Sequence, residues 1–530
     1  MSAPLLDSSP KPFPRAGNVH GVPGACHVAP DALQGIKRLQ TNASRWESSK
    51  WAEFSRELRD EGVELMTSPS TLGTYSSDAG GTAYGMPHGA VLARSAVQIA
   101  QLMKCAQKHK VPVTVRGGGL TTEGESVAYG GVLLDMTGMS HVLHIDANEL
   151  TVRTQAGIFW HSLAEELRRE NLDYLSAPLN LTSSVGGTLG VGGIDVNSPR
   201  LGCSADQALS LQVVTPTGEV VECSDEQHPE LFQRIILGYG QFGIITEATL
   251  RIRPYTPLRM HYFYYSSLRT AVEDLQLLDQ NDASDYSGIL TIMDCAVNLL
   301  IAFDSDDRES AFIDKWKGQL RGHGELGFMA HMLWRYLVRP WQLGEALYLY
   351  RRKRELFPQL RKAEYMRGKQ MLDRTVVFSR AVWKFWGSRQ MVIPDLATSA
   401  SKFVDAVERG NAVCRRYFPH YTLYMVGIRL RENHRAHYEM SCIPPDASGW
   451  AYGCEFEPMM DEGIYSRDYL QSFKNDIYDI GLDLGGSYYR FGGLMKGYIR
   501  RAFGDAVVDR HLAMKRAVDP AMILNRNVVF

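Results

Sequence analysis

The chain has 530 residues, of which 45% are hydrophobic and 22% charged, and its formal net charge is −2. Such a balance suits a globular chain of two or three domains, at roughly 100 to 200 residues each, and gives no electrostatic reason to expect nucleic acid or an anionic membrane as partner. The eight cysteines, Cys26, Cys105, Cys203, Cys223, Cys295, Cys414, Cys442 and Cys454, are scattered without a C-x-x-C pair. That argues against a zinc site or a disulfide framework and fits a reducing, cytoplasmic setting.

Residues 1–30, rich in Pro, Gly and Ser, read as an extended lead. They lack a basic segment followed by an apolar core, and no apolar run in the chain approaches about 18 residues, so neither a secretory leader nor a membrane span is expected. Residues 31–62 carry helical periodicity. Regular alternation starts near Ala90, where AVLARSAVQIAQLMKCAQKHKVPVTVRGGG predicts a strand, an amphipathic helix and a second strand ending in glycines, a βαβ-like unit. The next segment adds two strands and a helix over about 158–170.

A second glycine-rich stretch, VGGTLGVGGIDVNSPRLG at 185–202, reads as a loop. Glycine admits positive φ and close approach of backbone amides, so two such runs after apolar strands point to a phosphate-bearing cofactor lying along main chain. The bland reading of the same glycines is that they only make tight turns.

LSLQVVTPTGEVVEC then predicts a hairpin turning at Thr217 and Gly218, and PELFQRIILG a helix. Gly238, Gly240 and Gly243 match G-x-G-x-x-G letter for letter. A dinucleotide fingerprint needs strand, glycines, helix in that order, whereas here a helix precedes and the β-rich IITEATLRIRP follows, so that fold is not assigned.

After Pro254 and Pro257 the glycine loops stop and β-like pieces alternate with long helices, which marks a second domain. Within it, residues 331–369 are helical, aromatic and basic, including Trp334, Arg335, Trp341, Arg351 and Arg354. The weightier reading is a solvated face with aromatic anchors in the core; the lighter one is a peripheral contact with a membrane or an acidic partner. His434 and His437 lack a supporting cysteine or acidic motif, so no metal is assigned.

RGGG at 116–119, VGGTL at 185–189, GQFGIIT at 240–246 and DP at 519–520 occur in an order and spacing that resemble the flavoprotein family typified by vanillyl-alcohol oxidase and p-cresol methylhydroxylase. The first half looks most like cytokinin dehydrogenases, and the resemblance covers about 85–254 and 480–530. It implies an α+β fold in which a two-part FAD-binding domain (1–254, rejoined by 481–530) carries an inserted α+β cap (255–480). It also implies that Val115, Gly117, Gly118, Gly119 and Thr121, in one run with Arg116 and Leu120, wrap the FAD pyrophosphate. Ser184, Gly190, Ile194 and Ile244, together with Gly186 and Gly187, would line the flavin and adenine portions, while Tyr489, Asn525 and Asn527 would touch the cofactor or close the site.

Three departures matter. Leu120 stands where many relatives tether the flavin through a histidine, so FAD is expected to be non-covalent. Leu179 stands where cytokinin dehydrogenases place the aspartate that takes the substrate proton, and Gly190 where vanillyl-alcohol oxidase has its acid. A cytokinin-type donor is therefore not assigned. YYRFGG at 488–493 resembles the Tyr–Arg pair that holds a phenolate in the phenol-oxidising branch, which makes Tyr489 and Arg490 substrate candidates; equally, the arginine pairs with a nearby carboxylate. Asp294, among apolar neighbours, is a candidate base or a capped turn residue. Trp383, Phe385 and Trp386 read as pocket wall or core.

The expected function is an FAD-dependent oxidase or dehydrogenase that takes hydride from a small organic alcohol or amine, phenolic or allylic donors included, with reoxidation by oxygen or another acceptor. The rivals are a flavin-dependent reductase of a carbon–carbon double bond and a flavin-binding protein without chemistry. A small-molecule substrate is the expected partner, and the oligomeric state, a homodimer included, is open.

Overall fold

The computed structural model describes residues 48–323, 392–418, 421–429, 449–458, 465–526 and 528, apart from short breaks at 82, 179, 195, 257–258, 293–295, 491 and 493–494. The basic aromatic stretch 331–369 and the cluster Trp383, Phe385 and Trp386 lie outside the described residues.

Helix α1 (Ser48–Asp60) leads into a three-stranded parallel sheet of β1 (Gly89–Leu92), β2 (Val113–Arg116) and β3 (Val132–Asp135), ordered β1-β3-β2. Parallel strands need a crossover, and α2 (Ala96–His109) supplies it between β1 and β2, the two strands that flank β3. Ser95 caps α2 by accepting from the Gln98 amide at 3.2 Å, and Lys110 closes it in a left-handed conformation. Ile99, Leu102, Met103 and Ala106 turn its apolar stripe onto the sheet core, and the central strand β3, Val-Leu-Leu-Asp, is buried along its whole length.

A second, antiparallel sheet follows in the order β4-β5-β9-β7-β8, built from β4 (Val142–Asp146), β5 (Thr151–Gln155), β7 (Ala208–Val214), β8 (Val220–Ser224) and β9 (Ile244–Pro254), with β6 (Leu172–Tyr174) paired to β9. The helix expected near 158–170 is α3 (Trp160–Arg169), and the expected β7–β8 hairpin turns at Thr217 and Gly218, the latter at φ +83°.

One reading is corrected here. The stretch taken as a loop from 185 begins as a helix, α4 (Val185–Val191). Its glycines are poor helix formers, and tertiary bonds override that preference. The Val185 and Gly186 amides donate to Ile158 O at 2.8 Å and Ala156 O at 2.7 Å, and Trp160 Nε1 donates to Thr188 Oγ1 at 2.9 Å. The glycines at 238–243 lie between α5 (Pro229–Ile235) and strand β9, the reverse of the dinucleotide-binding order.

The inserted unit carries a six-stranded antiparallel sheet, β10-β12-β11-β14-β15-β13, from β10 (Arg259–Tyr265), β11 (Tyr286–Ile292), β12 (Ala296–Phe303), β13 (Asp395–Ser399), β14 (Tyr421–Arg429) and β15 (Trp450–Pro458). Helices α6 (Leu268–Gln280), α7 (Asp306–Lys315), α8 (Ala400–Tyr417) and α9 (Arg467–Asp483) accompany it. Leu275, Leu278, Phe403, Val407, Phe456, Phe473 and Ile477 belong to one buried cluster, so helices α6, α8 and α9 share the core of this sheet.

The chain then runs through α10 (Lys496–Phe503) and α11 (Asp505–Val518) and returns to the parallel sheet, where Val113 N donates to Ile523 O at 2.9 Å and Asn525 N to Val113 O at 2.8 Å. The Asp519–Pro520 pair shapes this return. The Asp519 carboxylate accepts from Ile523 N, Leu524 N, Gln107 Nε2 and Lys515 Nζ, and Lys515 Nζ also donates to Gln241 O and Leu524 O. Both side chains of the ion pair are at most 1% exposed.

Removing one partner of a buried ion pair leaves an uncompensated charge, which costs about 3–5 kcal/mol. Asp519→Ala is therefore expected to lower unfolding free energy by about that amount, read from urea denaturation. A loss below about 1 kcal/mol, the size of an exposed pair, would contradict this account of the C-terminal return.

Candidate functional site

The glycine loop after β2, helix α4, the 238–243 turn, the C-terminal return and one face of the cap sheet meet around a single cavity. The loop side is built by close approach. A Cβ at Gly117 would overlap the Ser184 hydroxyl, and Gly119, at φ +70°, has its missing side chain directed at the Arg116 guanidinium. Glycine is required at both places, once for space and once for backbone conformation.

Arg116 itself does not line the cavity. It is buried behind the loop, where Nη1 donates to Ser77 O at 2.9 Å and Ser126 O at 3.3 Å. Burial works against its charge and Asp78 and Asp135 partly restore it, with a net lowering from the usual arginine value. Asp78 takes the Thr121 hydroxyl and the Gly124 amide, each at 2.9 Å, and burial raises it to about 6. These bonds fix the curve of the loop, so Val115, Gly117, Gly118, Gly119, Leu120 and Thr121 all face the cavity.

Opposite them, Ser184, Gly186, Gly187, Gly190 and Ile194 line the wall supplied by α4 and its exit, and Ile244 the start of β9. Gly190 is buried, yet nothing stands within 4 Å of where its Cβ would be. A space of this kind, kept open beside packed backbone, suits a planar ring. Asn525 closes the floor: its Oδ1 accepts from Val115 N at 2.8 Å and its Nδ2 donates to Gly240 O at 2.7 Å. The glycine loop, the open face at Gly190 and the absence of bulk between them fit an FAD bound with its diphosphate on main chain and its ring toward the cap.

Tyr489 and Arg490 reach the cavity from the cap side. The Tyr489 hydroxyl accepts from Gly193 N at 2.8 Å, tying the cap to the exit of α4. Of the two readings of Arg490, the structure shows carboxylate pairing: Nη1 donates to Asp395 Oδ2 at 3.1 Å and to Ile393 O at 3.3 Å, and Nη2 pairs with Glu455. Burial opposes the guanidinium charge, but Glu455 and Asp395 overcome it and raise the group above its ordinary value. The fork is held by protein carboxylates, so it is not an open clamp for a phenolate.

Three carboxylates that line this cavity, Glu455, Glu457 and Glu125, and Asp395 beside them were missed in the sequence. Glu455 and Glu457 stand two apart on β15, which turns both to the cavity while Cys454 and Phe456 face the core. Asp395 on β13 is directly opposite Glu455 in the ladder. Burial and the Glu455 charge push Glu457 up to about 8, against the pull of Arg490, and burial takes Asp395 up to about 7. Glu125, on the glycine-loop side, is pushed up to about 8 by burial and by Asp78 and Glu123. The available signals were the period-two acidic pair in WAYGCEFEP and the acid that closely follows the first glycine run. Asp294, Asn527, Leu179 and the pair His434 and His437 lie outside the described residues.

Residues 87–224 match the family described as FAD binding domain. The chain is 32% identical over 220 residues to cytokinin dehydrogenase 2 of Arabidopsis thaliana, an overlap of 41% of this chain and 44% of that protein. It is 30% identical over 174 residues to the D-lactate dehydrogenase of Anaerostipes hadrus, covering 32% and 37%. The chain thus spans less than half the length of these curated relatives. A solved structure of alkyldihydroxyacetonephosphate synthase superposes with a TM-score of 0.62 at 16% identity, covering 89% of this chain and 85% of that one, which is a likeness of fold. The expected resemblance is borne out: the chain carries an FAD-binding domain at 87–224 within the α+β, cap-bearing fold of the p-cresol methylhydroxylase type.

Proposed function

We propose that the chain binds FAD without a covalent link and oxidises a small organic alcohol or amine in the space between the flavin site and the cap sheet. The observation that carries this reading is the cavity itself, which joins a main-chain cradle on one side to the raised carboxylate of Glu457 on the other. When bound, the isoalloxazine ring supplies a two-electron acceptor for a hydride.

The chain's own residues supply the rest. The loop from Val115 to Thr121 and Asn525 hold the diphosphate end in place by backbone geometry, and Gly190 leaves room for the ring. Tyr489 and Tyr239 bind the cap segment to α4 and its neighbours, with Tyr239 Oη donating to Tyr489 O at 3.1 Å. Glu457 is half-buried on the cavity wall, and burial and Glu455 push it up to about 8, so in its anionic form above that pH it suits a group that takes up a proton from the donor. It supplies a carboxylate in a chain whose sequence holds Leu179 and Gly190 at the positions aligned with the relatives' acids. No described lining residue is a histidine or cysteine, and Leu120 faces the cavity, which supports non-covalent binding.

Acid precipitation of the purified yellow protein is expected to release the flavin into the supernatant; flavin in the pellet would overturn the non-covalent reading. Gly190→Leu has room for its Cβ and so keeps the backbone, but its side chain occupies the open space. The variant is expected to retain its circular dichroism and lose at least about tenfold in FAD affinity, roughly 1.4 kcal/mol. Unchanged flavin content would place the ring elsewhere.

A further inference from the structure

The strand face opposite the flavin cradle carries charge that the proposed reaction alone does not explain. Among the described residues lining the cavity, the charged ones are Glu125, Glu455, Glu457 and Arg490. Arg490 is shared between Asp395 and Glu455, so one cation already serves two anions. Glu457 is left over: among the described residues no donor reaches its carboxylate, although Glu455 stands two residues away on the same face of β15. An unpartnered carboxylate facing a cavity beside a second one is costly unless a cation, a donor or a proton compensates it.

We propose that Glu457, flanked by Glu455, forms the subsite for a protonated amine, making a cationic organic amine the class of substrate that this cavity selects. The inference rests on the proposed oxidoreductase for the use made of the amine, but its recognition depends only on the cap sheet. The chemistry is complementary in charge and reach. An ammonium or quaternary nitrogen beside Glu457 offsets the surplus negative charge that Arg490 leaves, and Tyr489 and Tyr239, which also line the cavity, offer aromatic surface. A carboxylate or phenolate ligand would meet like charge instead, because the arginine fork is taken. A neutral alcohol would leave the surplus uncompensated.

The pH dependence follows from the groups that face Glu457. These are Glu455 on its own strand and Arg490 from the segment before α10, while Asp395 on β13 stands opposite Glu455 and Glu125 lies elsewhere on the cavity wall; Thr422, paired with Glu457 on β14, is uncharged. Burial and Glu455 raise Glu457 to about 8, so the subsite is anionic above that pH and neutral below it. A permanently charged probe isolates this titration, since the probe itself does not change.

The test is calorimetric titration of the full-length protein, after incubation with FAD, with benzyltrimethylammonium, benzyl alcohol and benzoate. At pH 9 the ammonium probe is expected to bind at least tenfold more tightly than benzyl alcohol, and benzoate not measurably. Ammonium affinity is expected to fall as pH drops through about 8, where Glu457 takes up its proton. Glu457→Gln, isosteric and uncharged, is expected to remove that pH dependence and at least nine-tenths of the ammonium affinity while the thermal midpoint is kept. Equal affinity for the three probes in the wild-type protein, or an unchanged pH profile in the variant, would overturn the subsite. Flavin content is read separately: a colourless protein that still selects the ammonium sinks the flavin reading and supports the subsite, whereas a yellow one that does not discriminate sinks the subsite alone.

Discussion

The geometry of the cavity depends on one side-chain amide. Asn525 accepts from the amide of Val115 at the end of β2 and donates to the carbonyl of Gly240 in the turn before β9. Those two strands belong to different sheets, so a single residue from the C-terminal return sets the separation between the glycine loop and the second half of the flavin-binding part. Asn525 does this at φ 47°, a conformation that Asn tolerates because its short polar side chain bonds locally. Behind it, the Lys515–Asp519 pair holds the return rigid by satisfying the amides of Ile523 and Leu524 and the carbonyl of Gln241. The Asp-Pro pair noticed in the sequence is thus the anchor of the residue that closes the site floor.

Much of the flavin-binding half was legible because its signals are local. The βαβ alternation near Ala90, the helix after 158, the hairpin at Thr217 and Gly218 and the order of helix and strand around 238–243 all follow from periodicity and turn chemistry within short windows. The helical start of the 185–202 stretch was not legible, since its glycines oppose a helix and the Ser184 cap alone does not outweigh them; tertiary bonds to the carbonyls of Ala156 and Ile158 and from Trp160 to Thr188 favour one. Arg116 was similarly ambiguous: it belongs to the same run as the cavity-facing glycines, but strand alternation and the carbonyls of Ser77 and Ser126 turn it away from them.

The acidic wall was harder still to read because it is a product of tertiary register. Glu455 and Glu457 share a face by the period of two, yet the meaning of that face depends on β15 standing between β13 and β14 and on Asp395 falling opposite Glu455. Nothing within WAYGCEFEP says that the acidic face meets a cavity rather than water. The same holds for Arg490. Beside Tyr489 in sequence it resembles an anion clamp, and only the fold brings two carboxylates to its fork.

The cap must also hold its place for this wall to matter, and buried charge again does the work. Glu123, two residues before Glu125 in the glycine loop, pairs with Lys474 of α9, both about 1% exposed, and accepts from Tyr478 Oη at 2.9 Å. At another point, Arg200 and Arg253 from the flavin-binding part reach Asp304 at 3.1 and 3.0 Å, and Arg200 also reaches Asp285 at 2.8 Å. In each staple a cation and its anions come from different parts of the chain, so separating cap from cradle would expose unpaired charge within a poorly solvated interface. The cap is therefore fixed by closed ion pairs, each anion answered by a protein cation, and the carboxylate of Glu457, which faces the cavity without such a partner among the described residues, stands in contrast to them.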